Sequence, residues 1–207
     1  MQKAPISVRI IYVLSTIVFW ILIVATSVSF IGNILLETNI IGDEFQLRVQ
    51  LPITFDVVET GEAKIGGSYN DIRIEEASGK MHIVDTPQYF SKMVLRILFV
   101  VLLLVLFMTW KFKLFITNIK NGEIFETSNI NNLKHISYGI MVLFVLTKVY
   151  EEILYHTLVK FIEFDTLAIS GGRADRSDMI IAALLLWVLA HVFMKGVEMK
   201  NEQELTI

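Results

Sequence analysis

Four stretches of this chain are too long and too apolar to belong to an ordinary water-soluble core. They cover residues 10–31, 93–110, 136–162 and 179–194. Spanning ~30 Å of hydrocarbon takes about 20 helical residues at 1.5 Å rise. The first two runs reach that length, and the third does so once its charges are sheltered. The fourth needs its flanks or a thinned bilayer. Hydrophobic residues make up 54% of the 207 and charged ones only 19%, and the charges gather between the runs. Membrane spans are therefore expected at about 10–31, 93–112, 136–160 and 179–195. The first is expected to be an uncleaved anchor. Lys3 and Arg9 precede it as in a signal peptide, yet its apolar stretch outruns a typical h-region and no A-x-A site follows.

Orientation follows from the short loops. Lys111, Lys113, Lys120 and Lys134 outnumber Glu123 and Glu126, and the N-terminus carries Lys3 and Arg9 with no acid. Segment 163–178 has Glu163, Asp165, Asp175 and Asp178 against Arg173 and Arg176. The positive-inside rule then puts both termini, the loop 113–134 and the tail 196–207 in the cytoplasm. The expected architecture is an all-α membrane protein: an antiparallel four-transmembrane-helix bundle in one domain, with a small β-rich extracytoplasmic insertion over 37–90.

Within that insertion every odd position from Phe45 to Val57 is apolar, the alternation of a half-buried strand. Pro52 lacks an N–H and suits an edge strand or a bulge. Ile72 with Ile74, then Met81 with Ile83, predict two shorter strands turning at Ser78-Gly79. The three-stranded element either shields the bundle or senses a ligand.

The third run carries a cluster of internal charges: Lys148, Glu151, Glu152 and His156. Lys148, Glu152 and His156 follow at intervals of four and share a helix face, while Glu151 and Tyr155 form the adjacent stripe. Ionisable groups in lipid need partners, water or a function. One reading is a Lys148–Glu152 ion pair packed against neighbours or sheltered beneath the outer insertion. Another is a water-lined site for a proton, an ion or a small polar ligand. A metal held by Glu152, His156 and His191 is disfavoured, because antiparallel neighbours separate the two histidines. Metal and cofactor are both expected to be absent.

Other classes fall away on composition. A net charge of −3 offers no basic face for nucleic acid. The chain has no cysteine, which removes disulfides and thiolate chemistry. Neither H-E-x-x-H, nor a P-loop, nor G-x-S-x-G occurs, so no catalytic set is expected. Trp110 beside Lys111 and Lys113 reads as an interfacial anchor. Ala25 and Ser29 form a small-x3-small pair suited to close helix approach.

Two short motifs carry a resemblance. Phe125, Asn129, Leu133 and Ile136 follow an F-x3-N-x3-L-x2-I pattern at the entry to the third run. The chain closes on Glu202-Gln203-Glu204-Leu205-Thr206-Ile207, similar to an E-x-D-L-T-[IV] ending. With four spans and one large outer loop, the chain resembles the bacterial membrane family of domain of unknown function 2975. Glu204 stands in place of the usual Asp, and Ser137 where Gly is common. The resemblance implies a multi-pass protein of the bacterial inner membrane without enzyme activity. It also implies a cytoplasmic partner, a small helix-turn-helix transcription regulator, met through 111–134 and the C-terminal tail. The alternative is a small transporter or ion- or proton-linked protein using the charged cluster. The lipid bilayer is the remaining expected partner, and self-association stays open.

Overall fold

The computed structural model describes residues 5–38, 40, 49–65, 68–83, 88–157, 168–170 and 176–205. Four long helices, α1 (Ile6–Glu37), α2 (Gln88–Asn121), α3 (Thr127–Thr157) and α4 (Ser177–Leu205), are joined by three strands, β1 (Val49–Ile65), β2 (Ser68–Ile83) and β3 (Ala168–Ser170). They divide into two compact units. One comprises Met1–Gly42, Lys92–Thr147 and Asp175–Ile207, and the other Asp43–Ser91 and Lys148–Ala174.

The first unit is helical. Pro5, at φ −51°, opens α1 with a residue whose missing N–H would have had no helical acceptor. Hydroxyls along α1 fold back onto their own helix. Thr16 donates to the Tyr12 carbonyl at 2.8 Å, Thr26 to Leu22 at 2.7 Å and Ser27 to Ile23 at 2.8 Å. Such back-bonding removes a polar group that hydrocarbon could not solvate. Among the described residues, α1, α2 and α4 are long and apolar enough to cross a membrane, which points to a membrane protein. The comparably long α3 is not among them; it carries Lys134 and His135 near its start and four ionisable groups in its last third.

Helices adjacent in sequence run in opposite directions. Between α1 and α2, Lys120 lies over the Tyr12 ring at 3.9 Å, Lys113 over Phe19 at 4.7 Å, and the rings of Phe30 and Phe99 are 5.5 Å apart. Further along, the Asn33 amide donates to the Leu95 carbonyl at 3.2 Å, and Arg96 forms an ion pair with Glu37. Phe107 meets His135 across α2 and α3, and the Ser137 hydroxyl donates to the Ala183 carbonyl of α4 at 2.8 Å. The buried core is concentrated toward one end of this helix set. Phe115 and Ile116 of α2, Ile130 and Leu133 of α3 and Ala190 of α4 form it, with Val8 and Tyr12 of α1 packed against them.

The helices outrun the spans expected from hydropathy, and most of the expected loop 113–134 is helical. Only residues 122–126 separate α2 from α3, and the tail 196–205 continues α4. Apolar content marks where lipid can lie but not where a helix stops; here Phe115, Ile116, Ile130 and Leu133 carry the helical packing onward.

The second unit holds a three-stranded sheet in the order β2-β1-β3. β1 and β2 pair antiparallel from Val49↔Ile83 to Ile65↔Ser68. Two residues in the chain, Gly66-Gly67, connect them, a composition that tight hairpins favour. β3 pairs with Thr54–Asp56 on the other edge of β1. Three expectations are corrected here. Ser78-Gly79 is not a turn but part of β2, paired with Thr54 and Ile53. The third strand comes from residues 168–170 and not from the insertion. Pro52, paired with Lys80, lies in the central strand, outside both the β3 pairing and the register shift between Asp56 and Glu59. The long pairing overrides local turn chemistry. Gly79 serves the sheet in another way: a Cβ there would come within 3.2 Å of the Phe55 ring. The shift gives β1 one extra residue, so the odd-position alternation ends at Val57. Expected residues 45–48 lie outside the described residues.

Candidate contact site at the turn between α2 and α3

The turn begins with glycine geometry. Gly122 adopts φ +90°. Its N–H donates to the Ile119 carbonyl at 3.1 Å, and the next N–H, of Glu123, donates to Asn118 at 2.9 Å. This paired 5→2 and 6→1 arrangement satisfies the last carbonyls of α2 and reverses the chain in two residues.

Asn129 then closes the turn. It is 0% exposed, and its amide donates to the Glu123 carbonyl at 2.6 Å and the Ile124 carbonyl at 2.9 Å. Its own carbonyl accepts from the Asn118 amide at 2.9 Å. The same Asn118 amide reaches the Ser128 hydroxyl at 3.0 Å. A buried amide satisfied on both sides is a strong geometric constraint, because its replacement removes three hydrogen bonds at once. Four residues later Leu133 is buried, and Ile136 and Ser137 after it, so the motif spacing describes one inward face of α3.

The turn docks onto α4. Phe125 packs against Phe193 with ring centroids 6.0 Å apart, and Phe193 reaches back to Phe115 at 5.7 Å. A side chain at Gly196 would collide with the Phe125 ring, so a bare backbone is required where the ring crosses α4. Lys200 adds an ion pair to Glu126 at 2.9 Å. Phe125 is thus seated on α4 and Leu133 shares a buried cluster with Ala190 of α4, while Asn129 closes the turn and Ile136 is buried one turn beyond Leu133 on α3. Glu202 lies exposed on the same helix and Leu205 is its last residue; Thr206 and Ile207 lie outside the described residues.

What faces outward has mixed character. Ile124 and Phe125 are 42% and 46% exposed, and Met199 on α4 is 61% exposed. Lys195, paired with Glu198 at 2.6 Å, stands beside them along α4. Apolar side chains rimmed by charge on a rigid turn suit contact with another macromolecule.

Four of the ionisable residues of α3, Lys148, Glu151, Glu152 and His156, lie in its last third. Lys148 bonds Glu151 at 3.0 Å, and the His156 imidazole lies 3.1 Å from Glu152. The first pair is the more enclosed, with side chains 33% and 19% exposed, against 60% and 46% for the second. Among the described residues no group of three or more His, Asp or Glu is placed to hold a metal ion.

Sequence reasoning missed Asn118, Phe193, Gly196 and Lys200. Their partners are 10 to 78 positions away in sequence, beyond the reach of local patterns. A glycine inside an otherwise helical stretch was the one available signal, and Gly196 supplies it. A family match covers residues 63–207 and is described as Protein of unknown function (DUF2975). No curated protein and no solved structure matches the chain.

Proposed function

From the premise that the chain belongs to the DUF2975 family, we propose that it is a non-enzymatic membrane regulator that meets a cytoplasmic partner at the docked turn and the end of α4. The observation that carries this reading is the union of both family motifs on one support. Phe125 and Glu126 of the turn contact Phe193 and Lys200 of the helix that ends in the second motif. The expected partner is a small helix-turn-helix regulator. Truncation after Asn201 leaves the Lys200 contact intact, and should abolish co-purification of a regulator encoded beside this protein. Ile124→Asp and Met199→Asp should weaken it. Undiminished capture by all three variants, each still eluting as folded protein, would sink the proposal.

The chain is further proposed to cross the bacterial inner membrane four times as an antiparallel bundle, with both termini cytoplasmic. Phe115 and Phe193 meet in the C-terminal halves of α2 and α4, so these two helices end on the same side. If both cross, α4 starts on the other side and the intervening chain must cross once; α3 supplies that passage. The Ser137–Ala183 bond supports a consistent depth for its charges. Ala183 lies six positions after Ser177, the first residue of α4, and the same rise on α3 ends near Leu143. Lys148 and the three charges after it come later still, which favours a solvated extension of α3. A transport role draws support from the enclosure of Lys148 and Glu151. It requires a flux in proteoliposomes that Glu152→Gln removes, and absence of any such flux would dismiss it.

A further inference from the structure

The basic residues at one end of α1 and α2 form a seam that the contact site does not use. Arg9, Tyr12, Thr16 and Phe19 recur on one face of α1, and Lys113 and Lys120 are two turns apart on the facing side of α2. Lys120 lies 3.9 Å from the centroid of Tyr12 and Lys113 4.7 Å from that of Phe19. Each ammonium lies against an aromatic ring, a contact that holds its position. Arg9 is exposed one turn from Tyr12, toward the start of α1. Among the described residues no carboxylate is paired with Arg9, Lys113 or Lys120. The cations Arg96, Lys148, Lys195 and Lys200, by contrast, all have acidic partners.

The flank of this seam is apolar. Ile10, Val13 and Ile17 on α1 and Phe112 on α2 are exposed beside it. A cationic strip above exposed aliphatic surface, at the end of two helices apolar enough to span a membrane, matches the amphiphilic order of an anionic phospholipid. Headgroup phosphate would meet the cations and acyl chains the aliphatic face. We infer that Arg9, Lys113 and Lys120 form a strip that binds anionic phospholipid headgroups along the seam between α1 and α2. The inference requires only that α1 and α2 cross a membrane, and it stands apart from the regulator reading.

The test uses full-length protein in nanodiscs of phosphatidylcholine with or without phosphatidylglycerol, with co-purified lipid measured by native mass spectrometry. Wild type should retain phosphatidylglycerol in preference to phosphatidylcholine. Each of Arg9→Gln, Lys113→Gln and Lys120→Gln should lower that preference about fivefold, as expected from ~1 kcal/mol per basic residue at an anionic surface. Lys113→Arg and Lys120→Arg should preserve it, and Lys195→Gln, outside the seam, should leave it unchanged. Full preference in the triple Gln variant would overturn the assignment. Equal thermal protection of detergent-solubilised protein by inorganic phosphate would overturn it too, by assigning the seam to a soluble anion.

Discussion

Asn129 makes three hydrogen bonds through one buried amide group, two as donor and one as acceptor. Replacing it with leucine would leave the Glu123 and Ile124 carbonyls without their donor and the Asn118 amide with Ser128 alone. Stranded buried groups cost about 1–3 kcal/mol each, and Asn129→Leu should lower the Tm measured by circular dichroism in detergent. Asn129→Asp should be worse than its small change of shape implies. It keeps the acceptor for Asn118 but sets a carboxylate oxygen against two carbonyl oxygens. A Tm for the Asp variant at or above wild type would refute this account of the turn. Gly122 is a second residue-scale case. At φ +90° an alanine meets a penalty of about 1–2 kcal/mol, so Gly122→Ala should also lower the Tm, by less than Asn129→Leu.

Among elements, the contact of the turn with α4 is the most specific. Gly196→Ala draws two opposing effects. Alanine favours helix by roughly 1 kcal/mol over glycine, whereas displacing the Phe125 ring costs about 1–3 kcal/mol. The expected net result is destabilisation, and it should reverse to a gain when Phe125→Ala removes the ring. Additive effects in the double variant would show that the two residues do not touch. Much of this level was legible beforehand. Long apolar runs announced the helices, and the spacing of Phe125, Asn129, Leu133 and Ile136 marked one face of α3. Their docking surface was not legible, because Phe193 and Gly196 lie in a separate element and carry no local signature of a partner. Strand boundaries misled for a related reason. Ser78-Gly79 has the chemistry of a turn, yet both residues pair within the hairpin, and a Cβ at Gly79 would sit 3.2 Å from the Phe55 ring.

At the scale of the whole molecule, the absence of cysteine gives a clean test of topology. Single cysteines at Tyr69 and Met199, both highly exposed, should react with a membrane-impermeant maleimide from opposite sides of the membrane. Labelling of both from the same side would defeat the proposed four-span topology. The sheet also has a consequence for biosynthesis. β1 is made well before β3, since α2 and α3 lie between them in the chain, and yet the two strands pair. A nascent chain halted before residue 168 therefore carries the hairpin with one edge of Thr54–Asp56 uncovered. Completion of the sheet waits for residues 168–170, so, in the four-span topology proposed above, protease resistance of the hairpin should arise late in synthesis and report that insertion has finished.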